Sequence, residues 1–300
     1  MNCDACRAVA AGTLAATASL AHAHEPDGAA LAWSFEPWVV APLAVAVALY
    51  ALGLARMRSR TRIVPVRRSA LAAYAAACVA LAAALVSPLH AAGQRSFAAH
   101  MAEHELLMLV AAPFFVASRP HGVLLWALPR GWRSPLVRAV RADAVTSVRR
   151  RFGEPVAATA MLSAVLWLWH APQPFDLALR TTGWHVVQHV CFFASALVFW
   201  NAMLDARRRR REPMLLVGCL FVAALVSGAL GALMALSQSP WYAPYRALHL
   251  TAFGFPPAQD QQIAGLIMWV PGGLVHLGAA LVLLAAALGE TRNRESSDAV

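Results

Sequence analysis

Six histidines of this 300-residue chain fall in a pattern with chemical meaning. His100 and His104 are four residues apart, and so are His185 and His189. On an α-helix that spacing puts both imidazoles on one face, one turn apart. Each pair can therefore offer two ring nitrogens to a single ion. His90 and His170 stand at the ends of apolar runs, at the same depth as the pairs. Imidazole suits copper, zinc, iron and nickel. Met101 and Met108 add thioethers, which favour Cu(I), and Glu103 and Glu105 are carboxylates placed to orient a ligating ring. The candidate metal ligands are thus His100, His104, His185, His189, His170 and His90. A haem held by two histidines fits the same residues, as does the entry site of a metal transporter.

The elements that position these residues are membrane spans. The chain is 60% hydrophobic and 13% charged, with mean hydropathy +0.56, well outside the usual balance of a soluble domain. Several apolar runs reach the ~20 residues that cross a bilayer as a helix. They predict an all-α integral membrane protein of about seven transmembrane helices: Trp38–Ala55, Ala70–Leu89, Phe97–Ala117, Pro155–Trp169, Trp184–Leu204, Met214–Leu236 and Ile263–Leu288. Ahead of them, Arg7, the apolar stretch Ala8–Leu20 and Ala21-His22-Ala23 read as a signal peptide over residues 1–23, cleaved after Ala23. Residues 24–300 then form one membrane domain. Cleavage would make His24 the first residue, with an amine and an imidazole able to chelate Cu(II).

All 25 basic residues are arginine, and the net charge is +10. A basic balance can mark a nucleic-acid partner, but here the arginines sit between the apolar runs. Residues 56–68, 119–151, 207–211 and the C-terminal tail hold 21 of them; the alternate loops hold Arg95, Arg180 and Arg246. By the positive-inside rule the rich side is cytoplasmic, the mature N-terminus is outside, and the histidines gather at the outer face of a bacterial-type plasma (inner) membrane. The rich loop 119–154 predicts an interfacial amphipathic helix. The outer loop 237–260, with Trp241, Tyr242 and Tyr245, predicts an aromatic cap at the membrane surface. Asp260 reads as a helix cap, Gly228 and Gly231 as a close-packing face, and His276 as a buried, hydrogen-bonded histidine. Cys78, Cys191 and Cys219 read as small apolar residues. No nucleophile–base set and no phosphate loop is present.

Four segments in order carry a resemblance: His100-Met-Ala-Glu-His-Glu-Leu-Leu-Met-Leu-Val-Ala-Ala-Pro113, Trp169-His-Ala-Pro-Gln-Pro-Phe-Asp176, His185-Val-Val-Gln-His189 with Phe199-Trp200, and Asp260-Gln-Gln-Ile-Ala-Gly-Leu-Ile-Met-Trp-Val-Pro271. They resemble the multi-span CtaG-type cytochrome c oxidase assembly factor family over residues 35–290. The resemblance implies a non-enzymatic factor of the respiratory chain. It would assist copper delivery to the oxidase catalytic subunit, alone or with other assembly factors, and bind copper transiently in the histidine cluster.

Overall fold

Backbone groups inside an apolar run have only each other as partners, and helices satisfy them locally. The computed structural model describes residues 31–60 and 66–298, with side chains except at 149 and from 290 onward. The expected signal peptide, its cleavage site, Cys3, Cys6 and His24 lie outside these residues. Among the described residues no strand forms. In chain order the helices are α1 (Pro37–Arg58), α2 (Arg68–Leu85), α3 (Pro88–Gly93), α4 (Phe97–Ser118), α5 (His121–Ala127), α6 (Arg130–Arg141), α7 (Asp143–Phe152), α8 (Pro155–His170), α9 (Pro172–Arg180), α10 (Thr182–Met203), α11 (Ala206–Arg211), α12 (Pro213–Leu236), α13 (Ala243–Arg246) and α14 (Pro257–Asp298).

Among the described residues, α1, α2, α4, α10, α12 and the Pro257–Gly289 part of α14 are long and apolar enough to cross a membrane. The remaining expected crossing is α8. Its 16 residues reach roughly 24 Å at ~1.5 Å per residue. It meets the same test only together with α7, from which it turns by 76°. Pro155 sets that corner, since Glu154 before it is held extended (φ −67°, ψ 137°). Among the described residues the candidate crossings therefore number six, or seven with the bent pair.

The second crossing ends earlier than the hydropathy suggests. α2 stops at Leu85, and His90 rides on the separate short helix α3. Ser87-Pro88 explains the break: proline disfavours helix in the residue before it, and the Ser87 hydroxyl accepts from the Leu89 N–H at 3.2 Å to cap the new helix. The rich loop folds into α5, α6 and α7. Trp132, Leu136 and Val140 form an exposed i, i+4, i+8 stripe on α6, with Arg130, Arg133, Arg138 and Arg141 elsewhere on the turns. That is the amphipathic pattern expected for this loop.

The main core lies among α4, α8, α10, α12 and α14. α12 and α14 pack backbone to backbone. A Cβ at Gly231 would stand 2.7 Å from the Gly265 carbonyl, and one at Gly228 would stand 3.2 Å from Trp269. The small residues of α12 thus serve as the close-packing face that the sequence suggests.

Inside α4, residues Leu106–Ala111 form a π-turn. The Ala112 N–H bonds the carbonyl of Leu107, five residues back, and Pro113 has no N–H to give. The Met108 carbonyl is left over, and the Trp200 indole of α10 donates to it at 2.9 Å. This turn lies directly after the His100/His104 pair and re-aims the lower half of the helix.

Candidate metal centre

The arginine-poor end of the bundle begins with a buried carboxylate. Asp260, 1% exposed, accepts from the Ser96 hydroxyl at 2.7 Å and from the N–H groups of Phe97 at 2.6 Å and Ala98 at 3.2 Å. It does cap a helix, but the helix is α4, more than 160 residues away in sequence. Ser96 completes the cap by accepting from Ala99 N–H at 3.2 Å. An anion suits this N-terminus, where orphan donors and the helix dipole meet. The neighbouring glutamines tie down the loop above. Gln261 accepts from Trp241 N–H at 2.6 Å and donates to the Ser239 carbonyl at 3.1 Å. Gln262 donates to the Ser237 carbonyl at 3.3 Å. The Asp-Gln-Gln triplet thereby fixes the height of α4 and its histidines.

The loop so anchored is a lid. Tyr242 and Tyr245 are buried, unlike residues of an aromatic belt. The Tyr242 hydroxyl donates to the His170 carbonyl at 2.9 Å, and Tyr245 donates to the Gly93 carbonyl at 2.6 Å. Burial pushes both phenols up, so they stay donors at any physiological pH. Tyr242 stacks on Phe175 at 3.9 Å, and Phe175 lies 5.2 Å from the His100 ring. Tyr242 and Tyr245 thus point inward while Trp241 stays partly exposed, and the Asp176 carboxylate, which accepts from Ala243 N–H at 3.2 Å, ties the loop down.

Beneath the lid the six histidines meet. Within the two pairs, ring centroids are 4.4 Å (His100–His104) and 4.3 Å (His185–His189) apart. Across the helices, His100 stacks on His185 at 5.2 Å and His104 lies 5.1 Å from His189. One nitrogen each of His100, His185 and His189 lies within 4.8 Å of the others. Three nitrogens bound to one ion at ~2 Å lie about 3.5 Å apart or less, so each nitrogen of this trio need move inward by only about an ångström to share an ion. The donor set fits. His100 and His104 have both ring nitrogens buried without a hydrogen-bond partner, and so has Nε2 of His185 and of His189. Orphaned buried nitrogens of this kind are costly unless something binds them.

His90 and His170 stand at the edges with their own partners. His90 Nδ1 is 2.8 Å from Glu103 Oε1 and its ring stacks on His185 at 5.5 Å. Glu103 is fully buried and also lies 3.5 Å from His189 Nε2. It is thereby the carboxylate that the His90 and His189 rings share. Gly93 permits this, since a Cβ there would press on Glu103 Oε2 at 3.3 Å. His170 closes α8 because Pro172 follows. Its Nδ1–H donates to the Leu166 carbonyl at 2.7 Å, which turns Nε2 toward Met101 Sδ at 3.4 Å.

Three features were not read from the sequence. Gln188 is fully buried, with both amide atoms unpartnered. Its i+3 spacing from His185 puts it on the same face, a signal present in the pattern. The lid and the π-turn had no such local signal. His121 and His249 are exposed and stand apart from the cluster.

Comparison with known proteins gives one finding. The family model described as cytochrome c oxidase caa3 assembly factor (Caa3_CtaG) matches residues 48–289. That stretch holds α2, α4, α8, α10 and α12, the lid and all six histidines. No curated protein and no solved structure matches the chain.

Proposed function

The chain belongs to the cytochrome c oxidase caa3 assembly factor family, and within that role we propose that it carries Cu(I) in the histidine cluster and passes it to the oxidase. One observation carries the reading: His100, His185 and His189 each present a buried ring nitrogen, and these nitrogens lie within 4.8 Å of one another. Neutral imidazoles bind Cu(I) well, and the Met101 thioether beside His170 favours the same ion. His104 joins as a fourth donor, so an incoming ligand can displace one imidazole while others still hold the ion. Transfer is then stepwise ligand exchange, with no bond chemistry required of this chain. The receiving partner is the oxidase catalytic subunit, directly or through another assembly factor.

The arginine distribution supports a plasma-membrane placement with the cluster at the outer face and the C-terminus in the cytoplasm. The lid would then be the surface that a partner's copper-binding segment must open. A bis-histidine haem is the second reading. It is less favoured because the imidazoles already touch at 4.3 to 5.2 Å across and within helices, leaving no slot for a macrocycle between them. A visible spectrum of the purified protein separates the two, since bound haem absorbs intensely and Cu(I) does not. Cells carrying His185→Ala/His189→Ala should make the factor at normal levels yet hold oxidase short of copper. Fully copper-loaded oxidase in those cells would reject the proposal.

A further inference from the structure

Below the cluster lies a mostly apolar cavity that carries a few polar groups. α4, α8, α10, α12 and α14 all contribute to its wall. Its chemistry comes from Glu105, Met108 and His276, with Ser163 and Ser227 on the facing helices. The cluster uses none of these residues.

Two of them are unpartnered in a place where that is expensive. His276 is 4% exposed. Its Nδ1–H donates to the Gly272 carbonyl at 2.7 Å, which fixes the tautomer and leaves Nε2 with a bare lone pair. That is the arrangement of a metal-ligating histidine, whose other nitrogen is held by a carbonyl or carboxylate. Trp200 stacks on the ring at 5.9 Å and 13°, which fixes its plane. Glu105 Oε2 is likewise buried without a partner. It faces the same helical turn, since a Cβ at Gly272 would lie 3.4 Å from it. A glycine at 272 therefore leaves room for both groups. The π-turn brings Met108 to the same cavity, and Trp200 holds that turn by its bond to the Met108 carbonyl.

An imidazole lone pair, a thioether and a carboxylate make a donor set for a soft monovalent cation. The carboxylate would offset the charge that makes an ion costly in an apolar interior. We propose that this cavity is a second Cu(I) site, with His276 Nε2 and Met108 Sδ as ligands and Glu105 as the compensating anion. The identity of the ion rests on the reading of the cluster; the residues do not overlap with it. The site lies deeper in the bundle than the cluster, so it would act as an inner store or relay for the same cargo.

The test is an anaerobic Cu(I) titration of the detergent-purified full chain against a chromophoric chelator. Four proteins are compared: wild type, Met108→Leu, His276→Gln and His185→Ala/His189→Ala. Wild type should take up two equivalents. Met108→Leu, which conserves volume, should weaken one of them by about tenfold or more and leave the other unchanged. His276→Gln should remove that same equivalent, and the cluster variant should remove the other. If His276→Gln fails to fold, Met108→Leu decides the matter. A single equivalent in wild type, lost in the cluster variant and untouched by Met108→Leu, would overturn this inference and leave the cluster reading standing. A single equivalent lost with Met108→Leu but kept in the cluster variant would do the reverse. Absence of Cu(I) binding in wild type would overturn both.

Discussion

The two ends of the bundle use their polar residues in opposite ways. At the arginine-rich end the charges are outside. α6 buries none of its residues, and Arg208 forms a bidentate pair with the exposed Glu154 at 2.8 and 2.9 Å. Arg133 donates to the Trp126 and Leu128 carbonyls and sits 4.7 Å over the Trp126 ring. Such groups orient and anchor a membrane protein. At the other end the polar residues are inside. Asp260, Glu103, Gln188 and four histidine side chains of the cluster are buried, and several have no partner. Burying polar groups in this way costs stability, a cost that the proposed copper ligation would offset at the histidine end and that the exposed charges of the arginine end do not incur.

Substitutions at the two ends should differ accordingly. The largest effect is expected from Glu103→Gln, which removes the carboxylate that holds His90 and approaches His189. Cu(I) affinity should fall about 10–100-fold, read by chelator competition; an unchanged affinity would mean that the carboxylate does not serve the cluster. Asp260→Asn weakens the buried cap of α4. A loss of about 1–3 kcal/mol should appear as a lower unfolding midpoint in detergent, together with a weaker cluster because α4 shifts. Trp200→Phe leaves the Met108 carbonyl without its donor and should cost a similar or slightly smaller amount, with the cluster's copper affinity unaffected. The smallest effect is expected at the other end. Arg208→Ala breaks an exposed pair and should leave the midpoint within error. Its hydrogen bonds to Glu154 hold that carboxyl below the usual carboxylate range. Whatever the pair contributes is therefore full at neutral pH and fades only as pH falls through that range. A midpoint drop from Arg208→Ala as large as that from Asp260→Asn would erase the contrast between the two ends.

Much of this was readable in the residues, for physical reasons. Apolar length marks a span because a bilayer leaves few alternatives, and the i, i+4 histidine pairs mark a shared face because helical period is fixed. The segmentation of α2 and α3 was missed because hydropathy does not register a Ser-Pro break within an apolar run. α8 is short for a similar reason: Pro155 sets a corner, not a continuous helix. Asp260 was legible as a cap but not as the cap of α4, since pairing across more than 160 residues leaves no local trace. Tyr242 and Tyr245 looked like interfacial aromatics; their burial follows from anchors on Gln261, Gln262 and Asp176, which only the fold brings near. The π-turn depends on Pro113, which has no N–H to give, and on the Trp200 indole that donates to the Met108 carbonyl, again a contact between distant segments.

The central claim is that the cluster's imidazoles hold copper together. X-ray absorption at the copper edge tests it most directly, on Met108→Leu protein loaded with one equivalent of Cu(I). The expected spectrum has a nitrogen shell near ~2 Å with the outer scattering of several imidazole rings. In His185→Ala/His189→Ala/Met108→Leu protein that scattering should collapse. Copper that shows no imidazole scattering, or keeps the same spectrum without His185 and His189, would contradict the account.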